Sequence, residues 1–326
     1  MSQREEIMTK LFANSSVFIA AIAMMVVTFA ISAQAEYPTK PINLWIGSRP
    51  GGSVDTLSKV LAKPLERELG QPVIVSSKPG GGGGAVCAGL LKNQTPDGHT
   101  LCMIVNHNVT FRPQHQKVDY GFDDFKYVAR LADFKFAILA RKEAAYGNWK
   151  EFLTFAKAKG EVTFGLITPV QKLVADEIAK AEGFKFRAVP YKGGSKLLAA
   201  LLGGHIDIGI SGGRFFPHYD AGDVKVIAAA GSERIPGIDA PTLRELGYDK
   251  SIDMFNLLVA PAGVPDDVVK KIAAAFAIAV QDPDYKDLIS KKMRMGTVFM
   301  GPAEVTEFLK KEQAAFKDLI QVLKGT

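Results

Sequence analysis

The stretch Ser48–Asp55, SRPGGSVD, joins an apolar run, INLWIG (42–47), to TLSKVLAKPLEREL (56–69), whose apolar residues recur at helical spacing. A strand, a glycine pair among small polar residues, and then a helix is the local pattern of an α/β unit. Gly51 and Gly52 let the backbone turn tightly and approach a ligand. The helix start would aim unpaired N–H groups and the positive end of its dipole at the same spot. A carboxylate or phosphate suits such a place. The plainer reading is a βα turn in which glycine serves geometry and Ser53 or Asp55 caps the helix.

Toward the N-terminus, MSQREEIMTK carries Arg4 and Lys10, VFIAAIAMMVVTFAIS (17–32) is continuously apolar, and AQA (33–35) precedes EYP. A basic start, an apolar core and a small-x-small site read as a secretory signal peptide cleaved after Ala35. A retained anchor would need a span nearer to about 20 residues, and no second run of that length follows. The remainder is long enough for two domains of ordinary size, and an apolar content of 47% suits a soluble chain with a sizeable core. The net charge of +6 survives cleavage, because the leader carries two basic and two acidic residues. It agrees with an anionic ligand, although a basic surface alone would produce it. The basic residues are scattered without aromatic interleaving, which argues against nucleic acid.

From Pro41 onward, strand, turn and helix repeat. PVIVSS (72–77) and HTLCMIVN (99–106) read as further strands, with the short helix AVCAGLLKN (85–93) between them. FKFAILARKE (134–143) leads into a second block: strands EVTFGLI (161–167), FRAVPY (186–191), IDIGIS (206–211) and VKVIAAA (224–230), with helices at 148–159, 171–182 and 195–204. FNLLVAPAG (255–263) is another long apolar strand, and two amphipathic helices, 266–281 and 302–324, complete the chain. The alternation predicts parallel sheets covered by helices.

The device at Ser48–Asp55 recurs in PYKGGSKLLAALLGG (190–204), where a strand meets Gly193, Gly194 and a helix. Two anion-ready helix starts, one in each block, can close on one ligand from opposite sides. FGLITPVQKLVAD (164–176) offers a third start, with Thr168 as cap and Pro169 at the first helical position. The glycine run in KPGGGGGAVCAG (78–89) satisfies a relaxed dinucleotide pattern. Five consecutive glycines match many such patterns by composition, and no Lys-Ser/Thr follows to make a P-loop. GISGG (209–213) has the form of a nucleophile elbow around Ser211. Its triad fails, because His218 is the last histidine and no acid lies between the two. Ser211 is therefore read either as a hydrogen-bond donor lining a cleft or as a plain loop residue. His107, just past a strand, is placed to face a cleft, while His99, His115 and His205 read as surface or turn residues. None of the histidines has metal-ligand spacing. Cys87 and Cys102 either pair in an oxidising compartment or stay as buried thiols among apolar neighbours.

The ordered set YPTKPINLWIG, PGGSVD, LGQPVIV, KPGGGG, TPDGHTL, VPYKGG, LLGGHIDI and APAGVP resembles the periplasmic substrate-binding proteins of tripartite tricarboxylate transporters, the Bug family. The likeness runs through the whole chain after residue 35. It implies an α/β, type II periplasmic-binding-protein fold with a ligand cleft between two domains. The division is then 1–35 signal peptide, 36–139 with 259–326 as one domain, and 140–258 as the other. By the same resemblance, one carboxylate of the ligand lies between the turn carrying Gly51, Gly52, Ser53 and Asp55 and the turn carrying Tyr191, Lys192, Gly193 and Gly194. Asn106, His107 and Asn108 would line the pocket. Two departures stand out. Arg49 replaces a small or apolar residue, and is either a bidentate clamp on the anion or a solvent-facing side chain. GLITPVQKL replaces a glycine-rich stretch that ends in histidine, which alters the expected contacts around Thr168 and Pro169.

The function expected is that of a non-enzymatic periplasmic protein that captures a small mono-, di- or tricarboxylate and delivers it to the membrane components of a tripartite transporter. It would be a monomer that needs no cofactor or metal and binds no nucleic acid. A sensor feeding a two-component kinase is the alternative, and a periplasmic hydrolase on the same scaffold is a weaker one.

Overall fold

In the computed structural model, residues 36–249 and 251–324 are described, and the leader with its cleavage site lies outside them. Ile42, Leu44 and Ile46 alternate inward along the first strand, as a two-residue period requires. The chain forms β1 (Ile42–Ile46), β2 (Val73–Ser77), β3 (Thr100–Val105) and β4 (Phe125–Phe134) in one sheet. It crosses to a second sheet for β5 (Ala137–Arg141), β6 (Glu161–Leu166), β7 (Lys185–Pro190), β8 (Ile208–Ser211) and β9 (Val224–Ala229). It then returns as β10 (Met254–Pro261) and β11 (Gly296–Met300).

The first sheet has the order β11-β4-β10-β3-β1-β2 and the second β7-β6-β8-β5-β9. The all-parallel expectation holds only where helices connect the strands: β1 with β2 and β3, and β6 with β7 and β8. Strand β10 runs antiparallel to β3 and β4, and β5 antiparallel to β8 and β9. The strands that carry the chain between sheets enter without a helical crossover, and only such a crossover enforces parallel pairing.

Helices α1 (Ser53–Leu69), α2 (Gly81–Leu91), α3 (Trp149–Lys159), α4 (Pro169–Glu182), α5 (Gly194–Leu202), α6 (Asp266–Ala279) and α7 (Pro302–Lys324) cover the sheets. Val54, Leu57, Leu61, Leu65 and Leu69 form the buried stripe of α1, against which α6 packs. In the second sheet, Trp149, Phe152, Val174 and Ile178 from α3 and α4 build the core on one face. Leu197 and Leu201 from α5 build it on the other. Among the described residues no helix is long and apolar enough to cross a membrane.

The five-glycine run is a packing device. Gly82, Gly83 and Gly84 all have positive φ, and the regular part of α2 begins after them. Gly47, just after β1, abuts the backbone of Gly84 so closely that it has no room for a Cβ, and a Cβ on Gly84 would strike the Ile104 side chain. Behind this contact, Cys87 and Cys102 form a disulfide that ties α2 to β3, with their Cα atoms 6.5 Å apart. Both cysteines are fully buried.

Candidate functional site

In open α/β sheets, ligands bind beyond the C-terminal ends of strands where the connections part to opposite faces. In the first sheet that point lies at β1 and β3, and in the second at β6 and β8. The start of α1 stands at the former and the start of α5 at the latter. Neither helix is capped by a side chain: the N-cap of α1 is Gly52 and that of α5 is Gly193. Gly193 has φ 115° and ψ 160°, a conformation essentially confined to glycine.

A cavity of about 340 Å3 lies between these two starts. Ser53, the first residue of α1, borders it from one sheet, while Gly194, the first residue of α5, and Ser211, the last of β8, border it from the other. A Cβ on Gly194 would stand 3.3 Å from the Ser211 hydroxyl, so helix start and hydroxyl share one small space. Ser211 is fully buried, and its hydroxyl donates to the Gly212 carbonyl at 3.2 Å.

The quoted stretch divides between the wall and its own support. Arg49 is exposed, and its carbonyl accepts the Gly52 N–H at 3.1 Å. The Asp55 carboxylate is turned inward, accepting the Gly51 N–H and the Lys59 ammonium, each at 2.8 Å. Burial pushes this carboxyl up, but Lys59 and the Gly51 N–H outweigh that and hold it below the usual aspartate value. Gly51 and Asp55 thus brace the turn against each other. The Ser48 hydroxyl beneath Gly52 is buried and has no hydrogen-bond partner, which makes it a polar group of the turn that sequence reasoning passed over.

Thr168 and Pro169 form the helix start expected of them. The Thr168 hydroxyl accepts the Gln171 N–H at 3.4 Å, and the Gln171 side chain accepts the N–H groups of Ile167 and Thr168. This capping box uses up N–H groups that an anion would need. Ile167 lines the cavity wall in front of it. Tyr191 is half-buried, and its N–H donates to the Leu166 carbonyl at 2.8 Å. Tyr191, Lys192 and Gly193 carry the chain from β7 into α5.

Asn106, His107 and Asn108 turn toward α7 and the glycine run. The Asn106 amide donates to the Asp253 carbonyl (3.1 Å) and to the Glu312 carboxylate (2.8 and 3.0 Å), while its carbonyl oxygen accepts the Phe255 N–H (3.1 Å). His107 lies 3.7 Å from Glu312 and meets Phe316 edge-on. Asn108 donates to the carbonyls of Gly82 and Val105. His99 lies in the bend before β3, as one alternative of its reading had it, but is buried beside Asp97 rather than at the surface.

Sequence reasoning passed over much of the cavity wall. Phe134 and Lys135 come from the crossing between sheets, Arg214 from the loop after β8, and Lys292, Met293 and Met295 from the segment before β11. Lys135 is buried and its ammonium bonds Glu233 at 2.8 Å. The lining thus combines two uncapped helix starts, a serine hydroxyl, three cationic side chains and an apolar strip. That set can hold and orient an anion. Among the described residues that line it there is no carboxylate and no histidine.

A family model described as tripartite tricarboxylate transporter family receptor matches residues 57–324. The UPF0065 protein in gbd 5'region of Cupriavidus necator is 32% identical over 319 residues, covering 94% of this chain and 96% of that protein. Protein BugT of Bordetella pertussis is 27% identical over 271 residues, covering 78% and 82%. Among solved structures, a TctC solute-binding protein from Polaromonas superposes with a TM-score of 0.76 at 27% identity, covering 87% of this chain and 99% of that one. The two sheets are accordingly those of the two-domain periplasmic-binding-protein fold. The chain belongs to the tripartite tricarboxylate transporter receptor family.

Proposed function

We propose that this protein is a periplasmic receptor that captures a small organic carboxylate between its two lobes and hands it to the membrane components of a tripartite transporter. Secretion follows cleavage of the leader near Ala35, and the receptor acts as a monomer. The observation that carries the reading is the meeting of two uncapped helix starts, at Ser53 and Gly194, across one cation-lined cavity. The N–H groups there are unpaired by side chains and sit at the positive ends of their helix dipoles, which favours a carboxylate over a neutral ligand.

Each lobe consists of one sheet with its helices. The division falls at Lys135–Phe136 and between Ala229 and Met254, a few residues away from the sequence-based boundaries. Closing the lobes brings the two helix starts to the same anion and presents a surface drawn from both lobes to the membrane partner.

The test is a thermal-shift series on the chain from Glu36, refolded to strip carried-over ligand, against mono-, di- and tricarboxylates, amino acids and neutral sugars. A carboxylate present at a hundredfold over its Kd should stabilise by about 2.7 kcal/mol, a shift of several degrees. Stabilisation by neutral sugars and by no carboxylate would refute the reading.

A further inference from the structure

The cavity adjoins a second, larger groove of about 590 Å3, and the two share Gly213, Arg214 and Lys292 in their walls. Arg214 belongs to the second sheet's side of the cleft and Lys292 to the first's. Every other charged side chain lining either space already has a partner. Lys135 is held by Glu233 at 2.8 Å, Arg294 by Asp220 at 2.9 Å, Lys291 by Asp287, and His218 faces Asp223 at 3.4 Å. Among the described residues Arg214 has no hydrogen bond or ion pair, and Lys292 has only the longer-range attraction of Asp287, whose direct ion pair is with Lys291. The aliphatic stem of Arg214 runs past Gly194, where a Cβ would stand 3.5 Å from its Cδ. Its guanidinium therefore starts from the helix end that receives the first carboxylate. Among the described residues no acid lines the cavity, and the one acid in the groove wall, Asp220, is held by Arg294, so Arg214 and Lys292 bring one positive charge each from the two sides of the cleft.

We propose that Arg214 and Lys292 are the specificity residues of this receptor: they clamp a second anionic group of the ligand at the junction of cavity and groove. The proposal rests on the carboxylate reading above and narrows it to dianions. It also assigns a cause to closure. Two like charges brought together across a cleft repel, so the lobes are held apart until a negative group stands between them. A monoanion reaches the helix starts but leaves that repulsion in place. The planar guanidinium can grip an oxyanion through two N–H groups while the lysine acts as a point charge, and the groove behind them leaves room for a tetrahedral group as well as a planar one.

The experiment compares succinate, glutarate and adipate, each beside its own monoamide, by calorimetry on the chain from Glu36, with scattering to follow the radius of gyration. Each monoamide matches its diacid in size and lacks one charge. At least one diacid should bind roughly tenfold or more tightly than its monoamide, the ordinary weight of a hydrogen bond to a charged group, and only the diacid should contract the particle. Arg214→Gln and Lys292→Gln should each erase most of that preference, with apo melting curves confirming that both variants fold. Equal binding of a diacid and its monoamide, or an undiminished preference in both variants, would overturn this proposal while leaving the carboxylate reading intact. Binding by none of the six compounds, in a protein that neutral sugars stabilise, would remove both.

Discussion

Arg130 and Asp133, three residues apart on β4, face each other in a bidentate pair inside the first lobe: Nε meets Oδ1 at 2.8 Å and Nη2 meets Oδ2 at 2.7 Å. Both are more than nine-tenths buried. The guanidinium also lies over the rings of Phe255 and Phe308, at 4.4 and 5.0 Å. Removing one partner leaves an uncompensated buried charge. Asp133→Ala should therefore cost about 3–5 kcal/mol, whereas Arg130→Met with Asp133→Leu should recover most of that loss. Urea unfolding of the three proteins gives the comparison, and equal stability of single and double variants would contradict it.

Asp55 predicts an acid-sensitive turn. Its folded pKa lies below the usual aspartate value because Lys59 and the Gly51 N–H stabilise the ionised form against the opposing effect of burial. A depressed carboxyl contributes stability that is present in full above the unfolded pKa and is lost as pH falls through the folded one. Wild type should exceed Asp55→Asn in stability at pH 7, and the gap should close below pH 4, going downward. Urea midpoints for both proteins across that range measure it.

The Cys87–Cys102 disulfide closes a loop of sequence separation 15. Alkylation of the unfolded, unreduced protein should modify neither cysteine. Replacing both by alanine should lower stability by about 3 kcal/mol, the value for a loop of this size. A chain that alkylates without reductant would show the thiols free.

Adjacent glycines at the start of α5 should fail in different ways. Gly193→Ala forces an alanine into a conformation that costs on the order of 1–3 kcal/mol, and this should appear in the melting temperature. Gly194→Val meets no such backbone strain, but its branched side chain enters the cavity beside the Ser211 hydroxyl. It should abolish stabilisation by carboxylates with a smaller effect on the apo melt. Thermal shift with and without carboxylate separates the two.

The sequence was most legible where local chemistry decides the outcome. Strands such as β1 and β3 are apolar runs, α1 shows its buried stripe, and Thr168 caps α4 as its neighbours require. Strand β4 hid because FKYVARLADF places Arg130 and Asp133 in the interior, where alternation would call for apolar residues. Only their mutual pairing makes that tolerable, and pairing is a tertiary fact. Strand β11 is short and begins with glycine. In the cavity, Ser53, Gly194 and Ser211 announced themselves through turn chemistry. Lys135, Arg214 and Lys292 look like ordinary surface cations until the fold brings them to one wall. For Asn106, which only the family resemblance put in the pocket, the structure adds tertiary bonds no sequence reading foresaw: its amide is engaged by Phe255, Asp253 and Glu312.

The cavity wall draws on residues from Ser53 to Met295, almost the full reach of the described chain. A fragment cut in the middle therefore lacks part of this wall. On the proposed reading, a chain in which the segment before β11 has not taken its place should be silent rather than weak in ligand binding.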